Sequence, residues 1–277
     1  MTVWCLGAQQ KGMVIFMNTT GKNILNNFKD ILGQYCAINQ FVELSKRCFI
    51  SEHTAQLSTR EAFIELATQN HITLTSYNPD KMVNTISKSY IVNIHLCFET
   101  FLKNACREVK EFGIKEYSEK RQDDSWLKCA RLNILGNIIP KEKQALFDLC
   151  EYYRLIRNTA VHDLCDVQSR KTEYEKLKKY DFKTDAKFAK LIAPNEYENI
   201  TFDDFVMFSR SCVELATYLF NEIDYDYSKI VRTIPHTFRR YNDDRLNRAI
   251  FSYIHTWYKV DDRLNGQMDD LRKIIRA

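Results

Sequence analysis

Apolar residues recur every three or four positions in segment after segment of this chain, which is the spacing of one face of an α-helix. The clearest run lies in residues 81–112, and its apolar stripe is Ile91, Ile94, Phe98, Phe101, Ala105, Val109 and Phe112. Glycine and proline, which interrupt helices, number only 7 and 4 among 277 residues. Few breakers and a helical period together predict an all-α protein and disfavour turn-rich β architecture.

The same period predicts the positions of the helices. We expect them at about 21–49, 58–70, 81–112, 124–137, 140–164 and 202–222, with two or three more in 227–277. The second opens on Ser-Thr-Arg-Glu, a capping box, and the fifth on Pro140, which suits a first helical position. The segment 75–80 breaks the chain before the third helix.

We expect four of these helices to form a central bundle, with helical extensions before and after it in the sequence. The helices at 81–112, 124–137, 140–164 and 202–222 have the lengths and apolar faces of a four-helix bundle. We therefore predict an N-terminal helical extension over 1–79, a bundle over 80–224 and a C-terminal helical extension over 225–277.

The net charge and the pattern of cysteines limit which partners and which cellular compartment we expect for the chain. The net charge of +4 permits a polyanionic partner but does not demand one. The nine cysteines include no Cys-x-x-Cys pair and no zinc spacing, so we expect reduced thiols in a cytoplasmic protein without metal or cofactor. We expect no membrane partner, because no run of 18 apolar residues occurs. Residues 1–16 make a poor signal peptide, and Met17 is a plausible alternative start.

One stretch, "EYYRLIRNTAVHDL" at 151–164, combines an apolar face with an unusual polar one. At about 100° per residue, the helix places Arg157, Arg154, Asn158, Glu151 and His162 within one arc of about 140°. The opposite side is apolar except for one aspartate. One face therefore packs, and the other gathers cations, an amide and an imidazole.

Those groups are the ones that RNA cleavage without a metal requires. A histidine near neutral pH takes the proton of the 2′-hydroxyl or protonates the leaving 5′-oxygen. An arginine clamps the phosphate and stabilises the charge that develops on it, and an asparagine orients either group. Each chain offers one such histidine in this stretch, and a symmetric homodimer would supply two.

"IRNTAVHD" resembles the R-x4-6-H motif of the HEPN superfamily, in which a polar residue, usually Asn, follows the Arg. Two other Arg–His pairs have this spacing, Arg47–His53 and Arg248–His255, but neither Arg is followed by Asn. The resemblance covers about residues 80–222. It implies an all-helical bundle that dimerises with its motifs facing each other. It also implies a metal-independent endoribonuclease with Arg157, Asn158 and His162 as its catalytic set. Such an enzyme would be a toxin or an antiphage effector with an antitoxin or defence-system partner.

The chain departs from one pattern of that superfamily. Some members carry a Tyr two residues after the His, which a partner nucleotidyltransferase modifies, and here that position is Leu164. We therefore expect no such regulation.

Residues around the motif predict how substrate is held. Arg154 binds substrate or pairs with Glu151 three residues away. His95 and Glu99, on the polar stripe of the long helix, line the groove if that helix packs beside the motif, and otherwise form a solvated face.

The basic segment 168–190 follows the motif directly. Within it we predict Lys171, Lys178 and Lys179 as contacts for RNA, either single-stranded or in a tRNA loop, with interleaved aromatics stacking on bases. A solvated loop and short helix is the alternative for this segment.

Two other functions compete with the enzyme. The first is a non-catalytic HEPN-like module that dimerises or binds nucleic acid or nucleotide. The second is an unrelated helical scaffold in which the motif is accidental.

Overall fold

A computed structural model describes residues 23–53, 57–74, 78–122, 124–136, 138–162 and 167–277. The predictions for residues 1–16, Met17, Leu164 and the first half of the 75–80 break, residues 75–77, fall outside these ranges. Helices dominate the described chain, and it contains no β-strand. The α-helices are α1 (Ile24–His53), α2 (Thr59–Gln69), α3 (Pro79–Phe112), α4 (Trp126–Ala130), α5 (Lys141–His162), α6 (Val167–Leu177), α7 (Phe202–Glu222), α8 (Tyr227–Val231), α9 (Asp243–Trp257) and α10 (Arg263–Arg276). The predicted all-α class is confirmed.

Local capping explains where several helices begin. Ser58 and Glu61 form the predicted capping box of α2. At the start of α3, the side chain of Asn78 accepts a hydrogen bond from the backbone N–H of Lys81, and Pro79 occupies the first turn. A second capping box, which the sequence analysis did not identify, joins Thr201 and Asp204 at the start of α7.

Contacts divide the chain into two compact units, one over 24–226 and one including 227–277. In the larger unit, α3 is the central helix and packs against α1, α5 and α7. The fully buried side chains of this core include Ile91, Ile94, Leu149, Ile156 and Phe208. In the smaller unit, α10 packs against α8 and α9.

The helix expected at 124–137 is shorter than predicted. The α-helix ends at Ala130, a π-helical turn spans Arg131–Leu135, and Gly136 closes it in the left-handed conformation with φ of 66°. The fourth long helix is instead α1, which packs against α3 and α7 and which the sequence analysis assigned to the N-terminal extension. Its apolar stripe, including Phe28 and Leu32, is buried, and Phe28 packs against Phe101 of α3.

Candidate functional site

Helix α5 carries the motif, and its packing fixes which face the motif presents. Tyr152, Tyr153 and Ile156 are fully buried, as the helical period predicted. The hydroxyl of Tyr153 donates a 2.9 Å hydrogen bond to Oδ1 of Asp204, which is also fully buried. This contact anchors α5 to the start of α7, so the residues on the other face of α5 are held in a defined orientation.

The three predicted catalytic side chains lie together at the end of α5. Nη1 of Arg157 donates to Oδ1 of Asn158 at 3.1 Å and lies 3.4 Å from Nε2 of His162. Arg157 and Asn158 are partly buried, whereas His162 is exposed. A guanidinium only donates hydrogen bonds, so this geometry suits an imidazole that accepts at Nε2. In this contact Arg157 occupies the lone pair of Nε2, so a general base at Nε2 requires that the guanidinium turn from His162 to a substrate phosphate.

A cleft of about 210 Å³ opens beside the motif. Its walls come from α3, from α5 and from the segment that leads into α4. Arg154, Arg157 and Asn158 line it from α5, and His95 and Glu99 line it from α3. The structure thus brings five of the predicted residues together. Among the described residues His162 is not a lining residue and lies beyond the cleft, next to Arg157.

The pKa values of both His95 and Glu99 are shifted in the cleft. Burial lowers the pKa of His95 to about 4. Glu99 opposes that effect, and the positive charges of Arg157 and Arg154 reinforce it. Burial raises the pKa of Glu99, but the hydrogen bond and charge of Lys103, together with His95 and Arg157, outweigh burial and lower it overall. The cleft therefore presents a neutral imidazole beside an ionised carboxylate at neutral pH.

Arg154 and Glu151 form the intrahelical ion pair that the sequence analysis offered as an alternative to substrate binding. Nε of Arg154 donates to Oε2 of Glu151 at 2.8 Å. Glu151 does not line the cleft, whereas Arg154 does. The pair therefore holds one side of the Arg154 guanidinium while the residue still borders the cleft.

The predicted RNA contacts of the basic segment lie away from this cleft. Lys171 lines a separate pocket with Tyr152 and Tyr174. Lys178 pairs with Glu175, and Nζ of Lys179 lies 3.4 Å from Oδ2 of Asp148. None of the three is among the described residues that line the cleft at the motif.

The aromatic residues of the same segment pack against the protein. Phe188 is buried and contacts the ring of Phe182. Tyr174 packs against Tyr152, with ring centroids 5.6 Å apart. These contacts support the alternative for the segment, in which its aromatics stabilise a short helix and loop instead of stacking on bases.

Trp126 and Lys120 are among the cleft residues that the sequence analysis did not identify. Ser125 caps α4 by accepting from the backbone N–H of Lys128 at 3.1 Å, which fixes Trp126 at the first helical position. The serine cap was a readable signal for the start of α4. The approach of that start to α3 and α5 depends on long-range packing, which the local pattern does not encode.

Within the described ranges, no group of three or more His, Cys, Asp or Glu residues is arranged to hold a metal ion. None of the helices described above has both the length and the apolar character needed to span a bilayer. No protein-family model, curated protein or solved structure matches the chain.

Proposed function

We propose that the chain is a metal-independent endoribonuclease of the HEPN type that acts as a homodimer. The observation that carries the proposal is the contact of one guanidinium, that of Arg157, with both the amide of Asn158 and the imidazole of His162. The three side chains that the motif predicts thus meet at one end of α5, beside a cleft. The packing of α1, α3, α5 and α7 is compatible with a HEPN-like bundle.

The chemistry follows from the roles of these groups. His162 takes the proton of the RNA 2′-hydroxyl, and the resulting oxygen attacks the adjacent phosphorus. Arg157, with Arg154 nearby in the cleft, stabilises the negative charge on the phosphate oxygens. The bond to the 5′-oxygen breaks, an acid protonates that oxygen, and a 2′,3′-cyclic phosphate remains.

A second subunit supplies the acid in this proposal. Each motif offers one histidine, and two-fold pairing of the motifs brings the partner's copy of the same residue to the cleft. Val161, next to His162, has an exposed fraction of 47%, and burying such apolar surface favours association. The proposed substrate is single-stranded RNA or a tRNA loop, where the backbone reaches the in-line geometry of attack.

The biological role is proposed from the family resemblance. The chain would be a cytoplasmic toxin or antiphage effector with an antitoxin or defence-system partner. If the protein cuts no RNA, the alternative is a non-catalytic HEPN-like module that binds RNA or nucleotide.

The test is cleavage of single-stranded RNA in excess EDTA by three proteins. We expect His162→Ala to cut at least ~100-fold more slowly than wild type, because it loses the general base. His255→Ala is the matched control, since His255 lies on α9 of the other unit, and it should cut like wild type. All three should have the same dimeric mass in solution. Equal cleavage by wild type and His162→Ala, or no cleavage by any of the three, would refute the enzyme.

A further inference from the structure

The cleft beside the motif has an aromatic wall. Trp126, at the first position of α4, is partly buried and lines the cleft together with the buried ring of Phe98. Nζ of Lys103 and Nζ of Lys120 lie 5.8 Å and 5.5 Å from the Trp126 ring centroid. Both cations lie over the ring, and a nucleobase that displaces one of them would stack on the indole beside the remaining positive charge.

Two polar residues of the cleft, His95 and Glu99, lie next to one another on α3. Nδ1 of His95 is buried and has no hydrogen-bond partner within the described part of the chain. It lies 3.6 Å from Oε2 of Glu99, which is longer than a hydrogen bond. A buried polar atom without a partner is costly. A ligand that hydrogen bonds to this nitrogen would remove that cost.

Two arginines of the cleft lie on α5. Arg154 and Arg157 line it from that helix, together with the amide of Asn158. Guanidinium groups bind phosphate oxygens through charge-assisted hydrogen bonds. The cleft volume of about 210 Å³ is below the ~300–1,000 Å³ of sites for drug-sized ligands. It therefore suits one base with its phosphate at the arginines.

The order of hydrogen-bond donors and acceptors in the cleft determines which of the four RNA bases it can bind best. A neutral His95 ring carries one proton, and the nearby carboxylate of Glu99 favours that proton on Nδ1. The pair then presents one donor followed by the acceptor oxygens of a carboxylate. Oε1 of Glu99 already contacts Nζ of Lys103 at 2.7 Å, but an ionised carboxylate has about four lone-pair sites and retains acceptor capacity.

We propose that this cleft is a guanine-binding subsite, with O6 facing His95, the N1–H and 2-amino groups on Glu99, and the ring against Trp126. Guanine is the RNA base whose Watson–Crick edge presents an acceptor followed by two donors. Adenine and cytosine offer a single amino donor on that edge, and uracil offers a single N–H. The choice of a nucleotide as ligand rests on the proposed function, and under that function the enzyme cuts next to guanosine.

The test is calorimetric binding of nucleoside 3′,5′-bisphosphates to the full-length protein at pH 7. These ligands carry a phosphate on either side of the base and contain no internucleotide phosphodiester bond to cut. We expect the guanosine ligand to bind at least about tenfold more tightly than the adenosine, cytidine and uridine ligands. The inosine ligand, which lacks the 2-amino group, should bind several-fold more weakly than the guanosine one. Equal affinity for guanosine and adenosine ligands, or for guanosine and inosine ligands, overturns the subsite.

Two variants add a matched comparison. Glu99→Gln should lower the affinity for the guanosine ligand about tenfold and leave the adenosine ligand unchanged, because an amide keeps only one acceptor oxygen. Glu116→Gln removes the same charge at an exposed position outside the cleft and should bind like wild type. Unchanged guanosine affinity in Glu99→Gln overturns the assignment of Glu99. The wild-type series tests the subsite even if this variant fails to fold.

Binding and cleavage can fail separately in these experiments. A protein that prefers the guanosine ligand but cuts no RNA retains the subsite and refutes the ribonuclease. A protein that cuts RNA in EDTA but binds all five ligands equally retains the ribonuclease and refutes the subsite.

Discussion

The buried imidazole of His95 makes the stability of the fold depend on pH in a predictable direction. Burial is the largest cause of its lowered pKa. The charged groups that act on it are Glu99 on its own helix and Arg157, Arg154 and Glu151 on α5. Lowering the pH forces a proton onto this site, and replacing His95 by Gln removes the proton acceptor while keeping a polar side chain.

The magnitude follows from the two pKa values. In the folded protein the pKa of His95 is about 4, whereas its ordinary value is 6.5. Between these values the unfolded chain binds the proton and the folded chain does not, so stability is full above about pH 6.5 and falls as the pH drops towards 4. At about 1.4 kcal/mol per pKa unit, the loss at pH 4.5 is about 2–3 kcal/mol.

The assay is urea unfolding followed by circular dichroism at pH 7 and pH 4.5. Wild type should lose about 2–3 kcal/mol more of its unfolding free energy between these conditions than His95→Gln loses. Carboxylates titrate in both proteins, so their contribution cancels in this comparison. The exposed control His255→Gln should behave as wild type does, because no buried imidazole is removed. Equal losses in wild type and His95→Gln would refute the claim that burial keeps this imidazole neutral.

Three further predictions concern the anchor of α5, the motif and the basic segment. Tyr153→Phe removes the buried hydrogen bond to Asp204 and should lower the free energy of unfolding by about 2 kcal/mol in urea titration; an unchanged midpoint would argue against the anchor. Expression of wild type should arrest bacterial growth, and Arg157→Ala should relieve the arrest at equal protein level; arrest by both would contradict ribonuclease action. Replacing Lys178 and Lys179 by Ala should reduce the salt dependence of RNA binding by a slope of about 1 to 1.5 if both contact phosphates; an unchanged slope would exclude them from the interface.

The helices could be predicted because the residues that determine each helix lie close together in the sequence. The apolar repeat of α3 and the capping box at Ser58 and Glu61 depend only on residues within a few turns. The motif is also local, since Arg157 and His162 are only five residues apart. That spacing separates them by about 140° around the helix, so their contact depends on the conformations of the two side chains as well as on helical geometry.

The features that could not be predicted depend on contacts between segments that are far apart in the sequence. The packing of α1 with α3 and α7 brings residue 28 against residue 101, and no local period specifies that partner. Trp126 enters the cleft because α4 packs on α3. The aromatics of 168–190 could equally stack on bases or pack inward by their spacing, and the burial of Phe188 favours packing.

The central claim is that Arg157, Asn158 and His162 cut RNA by using its own 2′-hydroxyl. The most direct measurement is the chemistry of the cut ends made by wild-type protein in EDTA. It is compared on an RNA and on the same RNA with one 2′-deoxynucleotide at the cut site. The account predicts 2′,3′-cyclic phosphate and 5′-hydroxyl ends, and no cut at the deoxynucleotide. Cutting at the deoxynucleotide, or products with 5′-phosphate ends, would contradict it.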